Sequence, residues 1–250
     1  MDEIKEQVCK QLHIHSVNYA QFFNPPPNTL DWELCPAIAL AICSSDSKMK
    51  IKGQALALSV QQIFLAGYIH CLVHDDKADC WQHHVLVGDY LLGLGFQTLI
   101  NNDLSAYTKE FTNLVQTMSE GIVLRWSLRD THVSLEEWKQ ILSKERASIT
   151  ALSGRIAAEI SGFTRNQVMI SEQIGYFIGM AWASWEESLG LNISRRYLNK
   201  AKRLIVKLDN EKSIKLLQEL TERMSKTINF HGGIRESAHL GIVRESLMGL

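Results

Sequence analysis

The chain has 250 residues, of which 46% are hydrophobic and 21% are charged, and its formal net charge is −1. Because the charges balance and no basic run occurs, the sequence lacks the electrostatic footprint of a nucleic-acid-binding protein. Its apolar content excludes a disordered chain, and no apolar run approaches the ~20 residues that span a bilayer.

The N-terminus and the cysteines indicate a cytoplasmic protein. Residues 1–6 are charged and amphipathic, unlike a signal peptide. The cysteines are odd in number and lack CxxC spacing, so we expect reduced thiols rather than a disulfide framework or a zinc site. These residues are Cys9, Cys35, Cys43, Cys71 and Cys80.

Helical periodicity runs through almost the whole chain and predicts one all-α domain over residues 1–250. The domain opens with an N-terminal helix and a proline turn within residues 1–28 and closes with a flexible tail at 229–250. No strand alternation is sustained over more than a few residues. The further predicted helices cover residues 29–43, 53–74, 85–100, 102–128, 134–160, 165–187, 195–207 and 212–228.

The acidic segment HDDKAD, residues 74–79, ends a predicted helix that is apolar on nearly every side. Such a helix belongs at the centre of a bundle. Asp75 and Asp79 stand at i and i+4 and share one helix face, and Asp76 adds a third carboxylate. Carboxylate oxygens at this spacing suit Mg²⁺ that carries a substrate diphosphate. A solvated, charged helix end is the alternative interpretation.

Together with segments further along the chain, this acidic motif resembles the sequence pattern of a known family. The motif HDDxxD, followed by GDYLL at residues 88–92, resembles the trans-isoprenyl diphosphate synthases. The resemblance implies a helical bundle of the isoprenoid synthase type around a central apolar cavity. It also implies Mg²⁺ and an allylic diphosphate substrate or prenyl product. Further segments similar to this family lie at residues 35–40, 175–182, 196–201 and 215–220.

The departures from the family pattern concern the cations that grip diphosphate. No Gly-Gly-Lys-Arg segment precedes Pro36. No arginine pair follows the first aspartate motif, where residues 80–84 form a shortened connector. Glu145 and Arg146 stand in place of the family's mid-chain Lys-Thr pair. The basic half of a diphosphate site is therefore missing.

At the second aspartate motif, Glu186 and Glu187 remain as weaker metal candidates, without a third acid. Each charge-assisted contact to phosphate contributes roughly 1.5–3 kcal/mol. The loss of several such contacts therefore weakens diphosphate binding by about 4–10 kcal/mol, which is several orders of magnitude in affinity. We expect that the chain does not catalyse alone, and we assign no catalytic residue.

This pattern of loss resembles the small subunit (component I) of heterodimeric heptaprenyl or hexaprenyl diphosphate synthases. The resemblance implies a regulatory subunit that helps to set product length in long-chain prenyl diphosphate synthesis for menaquinone side chains. The implied partner is a catalytic large subunit that binds farnesyl and isopentenyl diphosphates. That partner would hold Mg²⁺ even where this chain has lost its own site. Neither a nucleic-acid partner nor a membrane span is expected.

Five residues before Asp75 are candidates for binding the prenyl tail and setting its length, since they would line a tunnel in such a fold. The small ones would leave room for the tail and the aromatic ones would form a floor, although ordinary core packing is the alternative. The five are Phe64, Gly67, Tyr68, His70 and Cys71. His83 and His84 are interpreted as part of a surface loop rather than a metal site.

Two predicted helices, 87–100 and 102–128, are candidates for the partner surface, because relatives of this fold dimerise through central helices. Trp182 and Trp185 lie at i and i+3 on one helix face and are interpreted as core or interface aromatics.

Two other functions stay open at this point. One is a self-sufficient, divergent Mg²⁺-dependent isoprenyl diphosphate synthase that works through Asp75, Asp76, Asp79, Glu186 and Glu187. The other is a helical binding module without prenyl chemistry, which predicts a packed bundle that lacks a deep apolar cavity.

Overall fold

Apolar residues at helical spacing form ten α-helices within the described part of the chain. The computed structural model describes residues 2–14, 17–18, 26, 29–43, 47–73 and 81–230. The helices are α1 (Asp2–Gln11), α2 (Thr29–Ile42), α3 (Ser47–His70), α4 (Trp81–Asn101), α5 (Thr108–Ser127), α6 (Leu135–Leu142), α7 (Ser148–Ile160), α8 (Arg165–Glu186), α9 (Leu191–Ile205) and α10 (Glu211–Phe230). Two short antiparallel strands, β1 (His13–Ile14) and β2 (Val17–Asn18), follow α1.

The all-α prediction is confirmed. In the ranges that the structure describes, no helix combines the length and the apolar character needed to cross a membrane. Asp75, Asp76 and Asp79 lie outside the described residues, as do most of the predicted proline turn and the predicted tail from residue 231 onward. Helix α10 includes residues 229 and 230, where the tail was expected to begin.

Helix α3 lies at the centre of the bundle, as its apolar sequence predicts. Every side chain from 55 to 66 is buried, the polar ones included. The Ser59 hydroxyl donates to the Gly95 carbonyl of α4 over 2.9 Å, and the Thr98 hydroxyl of α4 donates to the Gln62 side chain over 3.0 Å. Because buried polar groups cost free energy unless they find partners, these hydrogen bonds fix α3 against α4.

Helices α7 and α8 approach each other closely through glycine. A Cβ added at Gly154 would lie 2.5 Å from the Ser171 carbonyl oxygen, and one added at Gly175 would overlap the Thr150 carbonyl oxygen. The missing side chains let the two backbones come together, which sets where the C-terminal end of α8 lies. Glu186 is the last residue of α8.

The predicted helix over residues 134–160 is interrupted by a π-helical turn, Ser143–Ala147, between α6 and α7. Its start is well specified, because the Ser134 hydroxyl accepts from the Glu137 backbone while the Glu137 carboxylate accepts from the Ser134 backbone. π-Helical turns insert an extra residue and frequently occur at functional sites. This one contains Glu145 and Arg146.

Four predicted helix starts differ clearly from the structure. Helix α3 begins at Ser47 instead of residue 53, α4 at Trp81 instead of residue 85, and α9 at Leu191 instead of residue 195. The helix expected from residue 102 begins as a 3₁₀ turn and becomes α5 only at Thr108. Before α5 and α9 the reason is backbone conformation: Asp103 has φ 57° and Gly190 has φ 109°, so the chain leaves the helical path at these two positions.

Candidate functional site

A small cavity lies where α3, α5 and the π-helical turn meet. Four of the five residues predicted to line a prenyl tunnel contribute to its wall, together with four residues that the prediction did not name. The lining residues are Phe64, Gly67, Tyr68, Cys71, Met118, Ile122, Glu145 and Arg146. The predicted residues therefore do come together in space.

The cavity encloses only about 10 Å³, which holds at most a single water molecule. The expectation that small residues leave room for a tail is not met at Gly67, because Met118 fills the space. The Met118 methyl carbon lies 2.6 Å from where a Gly67 Cβ would stand. The lining described here is packed, and a prenyl chain does not fit into it.

His70 is not among the lining residues and faces α4 instead. Its Nε2 lies 3.3 Å from Asp89 Oδ1 and 3.4 Å from the Val85 carbonyl oxygen. A Cβ added at Gly88 would overlap the His70 ring. The histidine of the predicted set and the glycine of GDYLL are thus packing partners between α3 and α4.

Arg146 takes the central place in the cavity wall. Its guanidinium carbon lies 4.9 Å from the centre of the Phe64 ring and 5.8 Å from that of Tyr68, the two aromatics predicted to floor the tunnel. Its Nη2 lies 4.0 Å from Glu186 Oε2. Burial alone would lower the pKa of Arg146, but the charges of Glu186 and Asp31 outweigh burial and raise that pKa above its ordinary value.

A second arginine, Arg125, binds two acids, Glu145 and Glu187. Arg125 donates three hydrogen bonds to the Glu145 carboxylate: Nε donates to Oε1 over 2.9 Å and to Oε2 over 3.1 Å, and Nη2 donates to Oε2 over 2.7 Å. The same Nη2 lies 2.9 Å from Glu187 Oε1. Burial would lower the pKa of Arg125, but Glu187 and Glu145 raise it well above its ordinary value.

These ion pairs determine whether Glu186 and Glu187 are available to bind a metal ion. Both carboxylates face an internal guanidinium, so a Mg²⁺ ion would have to displace an arginine from each of them. In the part of the chain that the structure describes, no group of three His, Cys, Asp or Glu side chains is placed to hold a metal ion. The described acids do not fit Mg²⁺, and we derive no step that depends on it.

Nucleophilic chemistry at the cavity is also disfavoured. Burial, reinforced by the Glu145 carboxylate, raises the pKa of the Cys71 thiol from 9.0 to about 12. The thiol therefore stays protonated at neutral pH, and a protonated thiol is a poor nucleophile.

Asp31 lies in the segment where the family places diphosphate-binding cations. It is buried, and its Oδ1 accepts a hydrogen bond from Trp182 Nε1 over 2.9 Å. The rings of Trp182 and Trp185 stack with centroids 4.7 Å apart, and both residues are buried. Of the two interpretations offered for this tryptophan pair, core packing describes it in this chain.

Sequence reasoning missed Arg125 and Asp31 as members of this cluster. Neither belongs to a motif, and both become visible only when the helices bring them next to Glu145 and Arg146.

A different prediction, the surface loop at His83 and His84, is wrong. Both residues lie in the first turn of α4 and are half-buried, because α4 begins at Trp81.

No protein-family model matches the sequence, and no curated protein is similar to it in sequence. Solved structures are similar in fold. Heptaprenyl diphosphate synthase from Staphylococcus aureus superposes with a TM-score of 0.76 at 14% identity, covering 90% of this chain and 96% of that chain. The geranyl diphosphate synthase small subunit from Antirrhinum majus gives 0.69 at 15% identity, covering 88% and 95%.

A deletion mutant of the heterotetrameric geranyl pyrophosphate synthase from mint gives a TM-score of 0.67 at 16% identity, covering 88% of this chain and 96% of that chain. At identities this low, the comparisons show that the fold is shared, and they do not show which activity this chain has. This chain therefore has the fold of the trans-isoprenyl diphosphate synthases.

Proposed function

We propose that this chain is a non-catalytic regulatory subunit of a heterodimeric long-chain trans-prenyl diphosphate synthase. The observation that carries the proposal is the pairing of Arg125 with Glu187 and of Arg146 with Glu186. A diphosphate–metal complex at these acids would have to break these largely buried pairs, and breaking a fully buried pair costs about 3–5 kcal/mol. Each 1.4 kcal/mol is a tenfold loss of affinity, so substrate competes poorly with the internal arginines.

The packed cavity supports the same proposal. With about 10 Å³ of space beside Phe64 and Gly67, the growing prenyl chain has no room between α3 and α5. Elongation of the chain therefore belongs to the partner, and this subunit influences product length through its contact with that partner.

The proposed partner is a catalytic large subunit that binds Mg²⁺, farnesyl diphosphate and isopentenyl diphosphate. The proposed product is heptaprenyl or hexaprenyl diphosphate for menaquinone side chains, made in the cytoplasm. Two of the structures with this fold support a heteromeric arrangement, since one is named as a small subunit and the other as part of a heterotetramer.

The outer face of α4 suits the partner. Leu86, Gly93 and Ile100 stand seven residues apart, and Leu86 and Ile100 are 66% and 59% exposed. A Cβ added at Gly93 would meet nothing within 4 Å, so a second helix can approach there. An exposed apolar row with heptad spacing is typical of a helix that packs against a partner helix.

The experiment measures prenyl transfer from farnesyl and isopentenyl diphosphates with Mg²⁺. The purified chain is assayed alone and together with a catalytic subunit that retains both aspartate-rich motifs. We expect no turnover by the chain alone, and long-chain product only when both subunits are present. Robust turnover by the chain alone would instead support the self-sufficient synthase.

Two sets of variants sharpen this assay. The double variant Leu86→Glu/Ile100→Glu should abolish both co-purification with the catalytic subunit and product formation. Ile51→Glu is the matched control, because Ile51 is 63% exposed on a different helix. Replacing Asp75 and Asp76 by Ala should reduce the activity of the complex only modestly, whereas abolition would contradict a non-catalytic role.

A further inference from the structure

Helix α9 and the turn after it carry a strongly basic face. From residue 188 to residue 208 the chain contains six lysines and arginines and no acid. Four of them follow the spacing i, i+4, i+7 and i+11, which places them in one stripe about 16 Å long. All four side chains are exposed, and the last lies just past the end of the helix. The stripe consists of Arg196, Lys200, Arg203 and Lys207.

The charge of this basic stripe is not neutralised by its described neighbours. Lys202, which lies at the edge of the same helix, pairs with Glu222 of α10 over 2.7 Å. Lys200 lies over the Phe177 ring, 5.2 Å from its centre. Among the residues that the structure describes, none of the four stripe residues has a carboxylate within 4.0 Å. The stripe therefore presents a net positive field to solvent.

Exposed apolar side chains accompany the stripe at one end. Val206 is 62% exposed at the end of α9, and Met169 is 52% exposed near the start of α8. Gln167 joins these two regions, because its side chain donates to the Lys207 carbonyl and accepts from the Asp209 amide, each over 3.1 Å. Cations beside exposed apolar groups match a surface that is anionic outside and apolar beneath.

We infer that α9 docks the protein onto a lipid bilayer that contains anionic lipids, with the basic stripe against the headgroups. The contact is peripheral, since the apolar side of α9 is packed into the bundle through Leu198 and Ile205. Phosphodiester headgroups supply the negative charge that the described neighbours do not. The inference concerns α9 alone and stands or falls separately from the proposed regulatory role.

Vesicle flotation of the full chain tests this inference. We expect binding to vesicles of phosphatidylglycerol and phosphatidylcholine in equal amounts, loss of binding at high salt, and no binding to phosphatidylcholine alone. The variant Arg196→Gln/Arg203→Gln should weaken partitioning by roughly 10- to 30-fold, about fivefold for each cation. Lys50→Gln/Lys109→Gln is the control with the same change in net charge, and it should bind as the unaltered chain does.

Three outcomes would overturn the inference. One is an absence of binding to the anionic vesicles. Another is an equal loss of binding in the control variant, which would mean that net charge rather than the stripe matters. The third is displacement by inorganic diphosphate well beyond that caused by sodium chloride of the same ionic strength, which would identify a site for free phosphates instead of a bilayer surface.

Discussion

Arg146 lies where the family resemblance implies a prenyl tail. Its largely buried cation lies near the Phe64 and Tyr68 rings and faces Glu186. Such a charge is tolerated because ring faces and carboxylates together offset the loss of hydration. Because Arg146 and Glu186 offset each other's charge, the pair is tested best by removing Arg146 alone and then both members together.

Replacing Arg146 by Met keeps most of the side-chain volume and removes the cation. We expect the free energy of unfolding to fall by about 3–5 kcal/mol, because Glu186 and Asp31 then remain buried without it. Urea unfolding followed by circular dichroism measures the change. In the double variant Arg146→Met/Glu186→Gln a large part of this loss should be regained.

The control for this prediction is Arg129→Met. Arg129 is 43% exposed and lies near Asp130, and exposed ion pairs contribute only about 0–1 kcal/mol. If Arg146→Met were as stable as Arg129→Met, the buried pair would not hold the site together in the way described.

At the scale of elements, the contact between α7 and α8 determines where the acids of α8 stand. The two backbones meet because Gly154 and Gly175 have no side chain. The adjoining π-helical turn then directs Glu145 and Arg146 toward the cavity. Small changes in this contact would move the end of α8 and every ion pair made there.

Replacing Gly175 by Ala tests the close contact of these helices. The added methyl overlaps the Thr150 backbone carbonyl, which cannot rotate away, so we expect a loss of about 1–3 kcal/mol in the free energy of unfolding. Gly93→Ala is the matched control, as it is also a helical glycine but has open space around it. That control should gain about 0.5–1 kcal/mol from better helix propensity. Equal effects of the two substitutions would rule out the contact as the cause.

At the scale of the whole molecule, packing of the helices buries Cys35 of α2 and Cys43 at the end of that helix, and it half-buries Cys71, which follows α3. Burial raises the pKa of Cys35 and Cys71 from 9.0 to about 12 and that of Cys43 to about 11. Cys9, in contrast, is exposed. Because of these thiols, the free energy of unfolding of the bundle should depend on pH in the alkaline range.

The sign of this link follows from the raised pKa values. Above about pH 9 the unfolded chain releases thiol protons that the folded chain keeps until about pH 12, so the free energy of unfolding falls as pH rises through this range. In the variant Cys35→Ala/Cys71→Ala we expect a shallower fall, measured by urea unfolding at a series of pH values. Cys9→Ala should leave the slope unchanged, and a double variant with an unaltered slope would contradict the prediction.

Much of the fold could be predicted from local patterns. The apolar character of residues 53–74 placed a helix at the centre of the bundle, and α8 was predicted to within a residue. Helix starts at Ser47 and Leu191 were placed too late, because capping depends on loop conformation that the periodicity does not contain. The π-helical turn gave no signal, since an extra residue in one turn leaves the hydrophobic pattern nearly intact.

The candidate site was predictable only in part. Phe64, Gly67, Tyr68 and Cys71 were expected together and do meet in one cavity wall, because helical spacing sets which residues share a face. Their proposed role in holding a tail depended on empty space, and Met118 of α5 occupies the space beside Gly67. Likewise, the cations of α9 do not form a run in the sequence and become a stripe only on the helix surface.

The sequence by itself determined the all-α fold and the absence of a diphosphate-binding basic segment, because both depend on residue type and short-range spacing. Only the tertiary structure decided which groups the two glutamates of α8 and its C-cap face. Glu186 and Glu187 could equally have faced a metal ion or an internal cation, and they face Arg146 and Arg125 from distant parts of the chain. Charges of opposite sign that share a low-dielectric interior must pair, and which of them meet is set by helix packing rather than by order along the chain.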